Sequence, residues 1–180
     1  MAIVSSQQTL SLSDRRVLSA WAADCAEHVL PLFEAEAPVD ARPRTAIAAA
    51  RAFARGTIGA AEMILQRGGG KGPRPDVTAA AAAAGRAAGQ ALATAHMGAH
   101  ALGAAGYACH AALLAAGDDA MQAWSLEMTW QLAQMSLEVR AALRRLPALG
   151  EPGGPLGPGL LSRGPVGDSI RHLQEALTWT

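Results

Sequence analysis

Apolar positions recur along this chain at three- and four-residue intervals, the spacing of helices with one face turned inward. After a lead-in of ten residues, Ser11-Leu-Ser-Asp14 offers a helix start of the capping-box kind, and Val17, Leu18, Trp21, Asp24, Cys25 and His28 form an inward stripe. Pro31 ends or kinks that helix. A turn from Pro38 to Pro43 leads into a second stripe, Ile47, Ala50, Ala54, Ile58, Ala61 and Leu65. Gly68-Gly-Gly-Lys-Gly-Pro-Arg-Pro75 then breaks the pattern as a flexible loop. A long Ala-rich helix follows, started by Asp76 or Thr78, closed at Gly117 and bent at Gly103 and Gly106. Asp118 and Asp119 cap a fourth helix, whose seam is Met121, Trp124, Met128, Leu132, Met135, Val139, Leu143 and Leu146 and whose stop is Pro147. From Ala148 to Gly167, Gly and Pro predict an extended, mobile arm. Asp168 caps a short last helix with Ile170, Leu173 and Leu177 on one face and Trp179 behind. It is too short to stand alone, so it docks on the domain or on a neighbouring subunit.

These periods predict an all-α fold of four main helices in a compact bundle over residues 11–147, with an arm and a short docking helix over 148–180. Composition sharpens this: 51% of the residues are apolar but only 4% aromatic, so Ala supplies much of the interior and helices can pack closely. The net charge is zero but unevenly spread. Residues 1–40 hold six acids against Arg15 and Arg16, whereas residues 41–74 hold seven cations against Glu62. Opposite signs on successive helices predict pairing inside the domain and give no support to a nucleic-acid partner. Cys25 and Cys109 are too few for a disulfide framework and read as reduced, partly buried thiols. The first residues lack a basic-then-apolar leader, and Arg86, Gln90 and the histidines interrupt the Ala-rich stretch. A cytoplasmic protein with no membrane span is expected.

The candidate chemistry lies on the Ala-rich helix. In one continuous helix His96, His100, Gly103, Tyr107 and His110 share a narrow wedge, which Gly85 and Gly89 extend as a stripe for close approach. His96 and His100 are four apart, as are Asp24 and His28, the spacing that lets two side chains hold one metal. If the two helices face each other, these four groups share a hollow, as a divalent-metal site or as an acid–base pocket. Tyr107 is then a donor to a developing oxyanion, and Trp21, Cys25, Arg51, Glu127 and Gln131 line a ligand site. Trp124, Glu127, Met128 and Gln131 repeat the spacing of Trp21, Asp24, Cys25 and His28, which directs Glu127 to the same interior. The plainer reading is that these histidines hydrogen-bond to neighbouring helices and buried acids. No cofactor motif is present: the glycine loop has Leu65 and Gly72 where a phosphate loop needs Gly and Ser or Thr, and no Gly-x-Ser-x-Gly turn occurs.

Three stretches carry a resemblance. They are Leu18-Ser-Ala-Trp-Ala-Ala-Asp-Cys-Ala-Glu-His-Val-Leu-Pro-Leu-Phe-Glu34, Arg42-Pro-Arg44 with Ala48-Ala-Ala-Arg-Ala-Phe-Ala-Arg-Gly56, and Ala93-Thr-Ala-His-Met-Gly-Ala-His100. Over about residues 11–146 the chain resembles small helical bacterial proteins labelled immunity proteins, associated with polymorphic toxin systems. The resemblance implies a helical domain that binds and neutralises a toxin-like protein partner, and it transfers no catalytic residues. The glycine loop at 68–72 and the arm after 147 depart from the family pattern. Two function classes stand: a binding module of this type, and a small enzyme acting on a small molecule through the His/Asp pocket. A homo-oligomer formed through residues 168–179 is compatible with either.

Overall fold

The computed structural model describes residues 7–63, 75–151, 156–157 and 159–178. The glycine loop, Leu65 and Trp179 lie outside these residues. Every regular element among them is helical: α1 Leu12–Glu34, α2 Arg42–Ala54, α3 Ala79–Ala93, α4 His100–Ala115, α5 Ala120–Ala133, α6 Leu137–Leu143 and α7 Gly164–Thr178, with short 3₁₀ turns at Gly117–Asp119 and Leu160–Ser162.

Local chemistry sets most helix boundaries. Ser11 caps α1 by accepting from the Asp14 amide at 3.0 Å, as its sequence predicts. Pro31 does not end α1, which runs on to Glu34. Pro31 is exposed, on the side of the helix where solvent can satisfy the carbonyl that its ring leaves without a donor. α2 stops well short of the predicted stripe. Gly56, at φ +75°, donates to the Phe53 carbonyl, and Thr57 donates to that of Ala52, a Schellman cap that ends the helix after Ala54. Its buried residues are therefore Pro43, Ile47, Ala49, Ala50 and Phe53, and Ala61 is exposed.

The expected single Ala-rich helix is two helices. Thr78 caps α3 by accepting from the Ala81 amide, and the helix unwinds after Ala93. Gly98 and Ala99 turn their amides to the carbonyls of Thr9 and Gln8, both at 3.1 Å, so the lead-in closes the N-terminal end of α4. A Cβ at Gly98 would lie 2.7 Å from Leu10, so glycine lets the two segments meet. The bend expected at Gly103 and Gly106 lies instead at Thr94–Ala99. The fourth stripe is likewise split, because the Ser136 hydroxyl accepts from the Val139 amide and starts α6 afresh.

Helices α1, α3 and α4 enclose the core, with Leu18, Trp21, Leu30, Leu102 and a bed of buried alanines at its centre. α7 starts at Gly164, four residues before the expected cap at Asp168, and lies on α4 at Gly106, where an added Cβ would press the Val166 carbonyl at 3.0 Å. Its Val166, Ile170, Leu173 and Leu177 join the same core as Leu156 and Leu161, so these parts of the predicted mobile arm are packed. The apolar face expected to dock is thus covered within the chain. The charge pairing expected between the first two helices is present: Arg44 bonds Glu34 at 2.6 Å, and Arg51 bonds both Asp24 and Glu27. No helix among the described residues is long and apolar enough to cross a membrane.

Candidate functional site

The predicted site residues divide among separate partners. Asp24 lies beside the inward stripe of α1 rather than on it, with its side chain 46% exposed and bonded to Arg51 at 2.7 Å. The same guanidinium holds Glu27 at 2.6 Å. That bond keeps the Glu27 carboxyl below its ordinary range and pushes the Arg51 guanidinium upward. His100 bonds through Nδ1 to Gln90 Oε1 at 2.8 Å, across the hairpin between α3 and α4. Because α3 ends at Ala93, His96 sits in the connecting turns, outside the stripe it would share with His100 in a continuous helix. Tyr107 packs beneath Arg86, 5.9 Å from the guanidinium carbon to the ring centre. Among the described residues, no three of His, Cys, Asp and Glu converge in a way that could hold a metal ion. Of the four residues expected to share a hollow, Asp24, His28 and His100 bond to Arg51, Glu127 and Gln90 respectively.

His28 meets Glu127. Its Nδ1 lies 2.6 Å from Glu127 Oε2, and its ring stacks on Trp130 with centres 3.8 Å apart and planes 9° from parallel. Glu127 is 5% exposed, and its other carboxylate oxygen accepts from Gln131 Nε2 at 2.8 Å. Gln131 also donates to the Ala105 carbonyl on α4, and its backbone carbonyl accepts from Trp21 Nε1 at 3.1 Å. Trp21, His28, Glu127 and Gln131 therefore tie α1, α4 and α5 together by polar bonds, as a buried carboxylate requires. The echo between the two stripes does bring Glu127 inward. Its charge, added to burial, pushes both thiols upward, with burial the larger cause at Cys25 and at Cys109. Buried thiols held in their neutral form do not suit nucleophilic work.

α5 buries two polar side chains on its inward side and leaves two large apolar ones exposed. Its buried residues are Glu127, Met128 and Gln131, whereas Met121 and Leu126 are 66% and 65% exposed. Leu137, the first residue of α6, is 82% exposed. The sequence seam counted Met121 as core, but in the first turn of α5 it is exposed. Next to this apolar surface the half-exposed ring of His28 lies flat on Trp130, fixed from behind by Glu127. An open, shallow groove of about 600 Å³ lies elsewhere, between Leu12, Arg16, Val17 and Ala20 of α1 and Ala54–Arg55. None of the predicted catalytic or ligand-lining residues contributes to it.

Residues 8–138, well over half of the chain, match the model of a family described as Imm-5 like putative immunity protein. No curated protein and no solved structure matches the chain.

Proposed function

This chain belongs to the Imm-5 like immunity family, and from that membership we propose that it is a binding module that engages a protein toxin and neutralises it by occupancy, without chemistry of its own. The observation that carries the reading is the family match over residues 8–138, to which α5 adds two exposed large apolar side chains. Its polar Glu127 and Gln131 are consumed in holding the bundle together, while Met121 and Leu126 stand exposed and Met128 is buried. A helix built this way loses by staying in water and gains by meeting a partner. The catalytic alternative draws less support, since Asp24, His100 and His28 each have a partner that serves packing. A cytoplasmic site of action, where a toxin would be intercepted before reaching its target, belongs to the same proposal.

The test is growth rescue. Any toxin domain found in the genes flanking that of this chain is induced in a bacterial host to stop growth, and co-expression of this chain is expected to restore growth with a stoichiometric complex recoverable from the cells. Absence of both rescue and complex overturns the reading.

A further inference from the structure

Leu12, Arg16 and Ala20 recur four apart on α1, with Ser13 and Val17 beside them, so the five share one stripe of the helix. The shallow groove of about 600 Å³ runs between this stripe and Ala54–Arg55 at the end of α2. Leu12 is 46% exposed, and Ser13, Ala20 and Arg55 are exposed as well.

The charged side chains of this groove are two arginines, with no acid among its lining residues. No ion pair among the described residues includes Arg16 or Arg55. Arg16 is half-buried, and its Nε is enclosed without an acceptor. Its guanidinium carbon stands 6.0 Å from the centre of the Phe53 ring, and 3.3 Å from where a Cβ on Gly56 would lie. The bare glycine that ends α2 at φ +75° thus leaves room for the cation. The carbonyl end of α2 carries about half a negative charge, which offsets only part of two formal positive ones. Arg16 is therefore held partly out of water with no carboxylate to compensate it. The surrounding charges keep the same sign. Over residues 12–20 and 54–62 together with Arg145, four arginines stand against Asp14 and Glu62 alone. Asp14 is bonded to Arg145, and Arg15 donates to the Ala95 carbonyl rather than to an acid.

We propose that this groove is where the chain receives its protein partner, and that the partner enters with an acidic segment whose carboxylates lie next to an apolar side chain. The carboxylates meet Arg16 and Arg55, and the apolar side chain covers Leu12, Val17 and Ala20. Arginine suits the role because its planar fork matches a carboxylate with two bonds, and it is enriched among the residues that dominate interfaces. A groove this open does not enclose a small molecule as ligand pockets do, whereas a protein segment can lie along it. A second copy of this chain is the poorer occupant, since pairing the groove with itself sets arginine against arginine. The inference rests on the binding-module reading and adds to it the face and the chemistry of the partner. The exposed apolar side chains of α5 lie outside the groove and are not part of it.

Four proteins decide it: the wild type, Arg16→Gln, Arg55→Glu, and Arg163→Glu as a control with an equal change of charge outside the groove. Arg55 and Arg163 are exposed, so their variants test the groove even if Arg16→Gln, which loses its place beside Phe53, fails to fold. Circular dichroism with thermal melting verifies folding. Calorimetry measures binding of any toxin domain found in the genes flanking that of this chain, at low and high salt. Arg55→Glu and folded Arg16→Gln are expected to bind roughly 10-fold more weakly or worse. Arg163→Glu should bind as the wild type does, and wild-type affinity should fall as salt rises. If the wild type binds and Arg55→Glu binds equally well, the groove is wrong and the function stands. If the wild type neither binds nor protects, both fail. Inorganic phosphate and a single-stranded oligonucleotide serve as separate titrants. Either one binding the wild type and lost in Arg55→Glu, with toxin binding unchanged, makes the groove an anion site of another kind and overturns the proposal.

Discussion

Among the described residues, Glu127 is held by the imidazole of His28 and the amide of Gln131 rather than by a Lys or Arg. The asymmetry of this arrangement gives a sharp expectation. Removing His28, whose side chain is 42% exposed, would ordinarily cost little, but here it leaves a 4% exposed carboxylate oxygen without its donor. His28→Ala should therefore destabilise the protein by about 1–3 kcal/mol, as measured by urea unfolding. Glu127→Gln added to it should recover part of the loss, because a neutral amide is less costly to leave half satisfied. Two penalties that simply add would contradict this account. The sequence points to Glu127 through its spacing, since it echoes Asp24 one stripe earlier. It does not reveal that His28 pairs with Glu127 while Asp24 pairs with Arg51. His28 and Asp24 both lie on the border between core and solvent, where a step of about 100° does not decide on which side a flexible side chain bonds. The histidines of the Ala-rich stretch mislead for a different reason: their shared wedge exists only if the helix is unbroken.

At the scale of elements, helical character was readable throughout and the interruptions were not. The cap signals at Ser11 and Thr78 are local in sequence and hold. Gly56 was a readable stop as well, an αL residue right after an arginine, but the apolar spacing continues through it and hides the cap. The split at Thr94–Ala99 has no local signal strong enough to read. It depends on the carbonyls of Gln8 and Thr9, some ninety positions away in sequence, receiving the amides of Ala99 and Gly98. An apolar period survives such a break because both halves still turn their small residues to one core. Gly98→Val tests the join. The added side chain collides with Leu10, and a cost of about 1–3 kcal/mol is expected from overpacking. Hydrogen exchange should show the amides of Gly98 and Ala99 losing protection while the middle of α1 keeps it. Unchanged protection at those two amides would mean that the lead-in does not hold the turn.

For the molecule as a whole, the stretch that composition assigns to a mobile arm contributes Leu156, Leu161 and Val166 to the main core. Counting Gly and Pro registers the absence of regular structure, not the absence of burial, and so misses apolar residues that pack from irregular backbone. A chain ending after Arg163 loses Val166, Ile170, Leu173 and Leu177, each contributing about 1.5–3 kcal/mol when buried. Taken together these are comparable with the net stability of an ordinary domain. Such a truncation should lose its cooperative thermal transition, followed by near-ultraviolet circular dichroism of the tryptophans. A sharp transition within a few degrees of the full chain would show that α7 is an accessory. The hairpin formed by the turns at Thr94–Ala99 has one more consequence. Among the described residues, the most extensive helix–helix contact joins α3 to α4, its immediate successor, whereas α1 reaches both across long spans of sequence. Closing a short loop costs the chain less entropy than closing a long one. The alanine hairpin should accordingly consolidate first on the way from the unfolded chain, with α1 and then the C-terminal helix settling onto a kernel already in place.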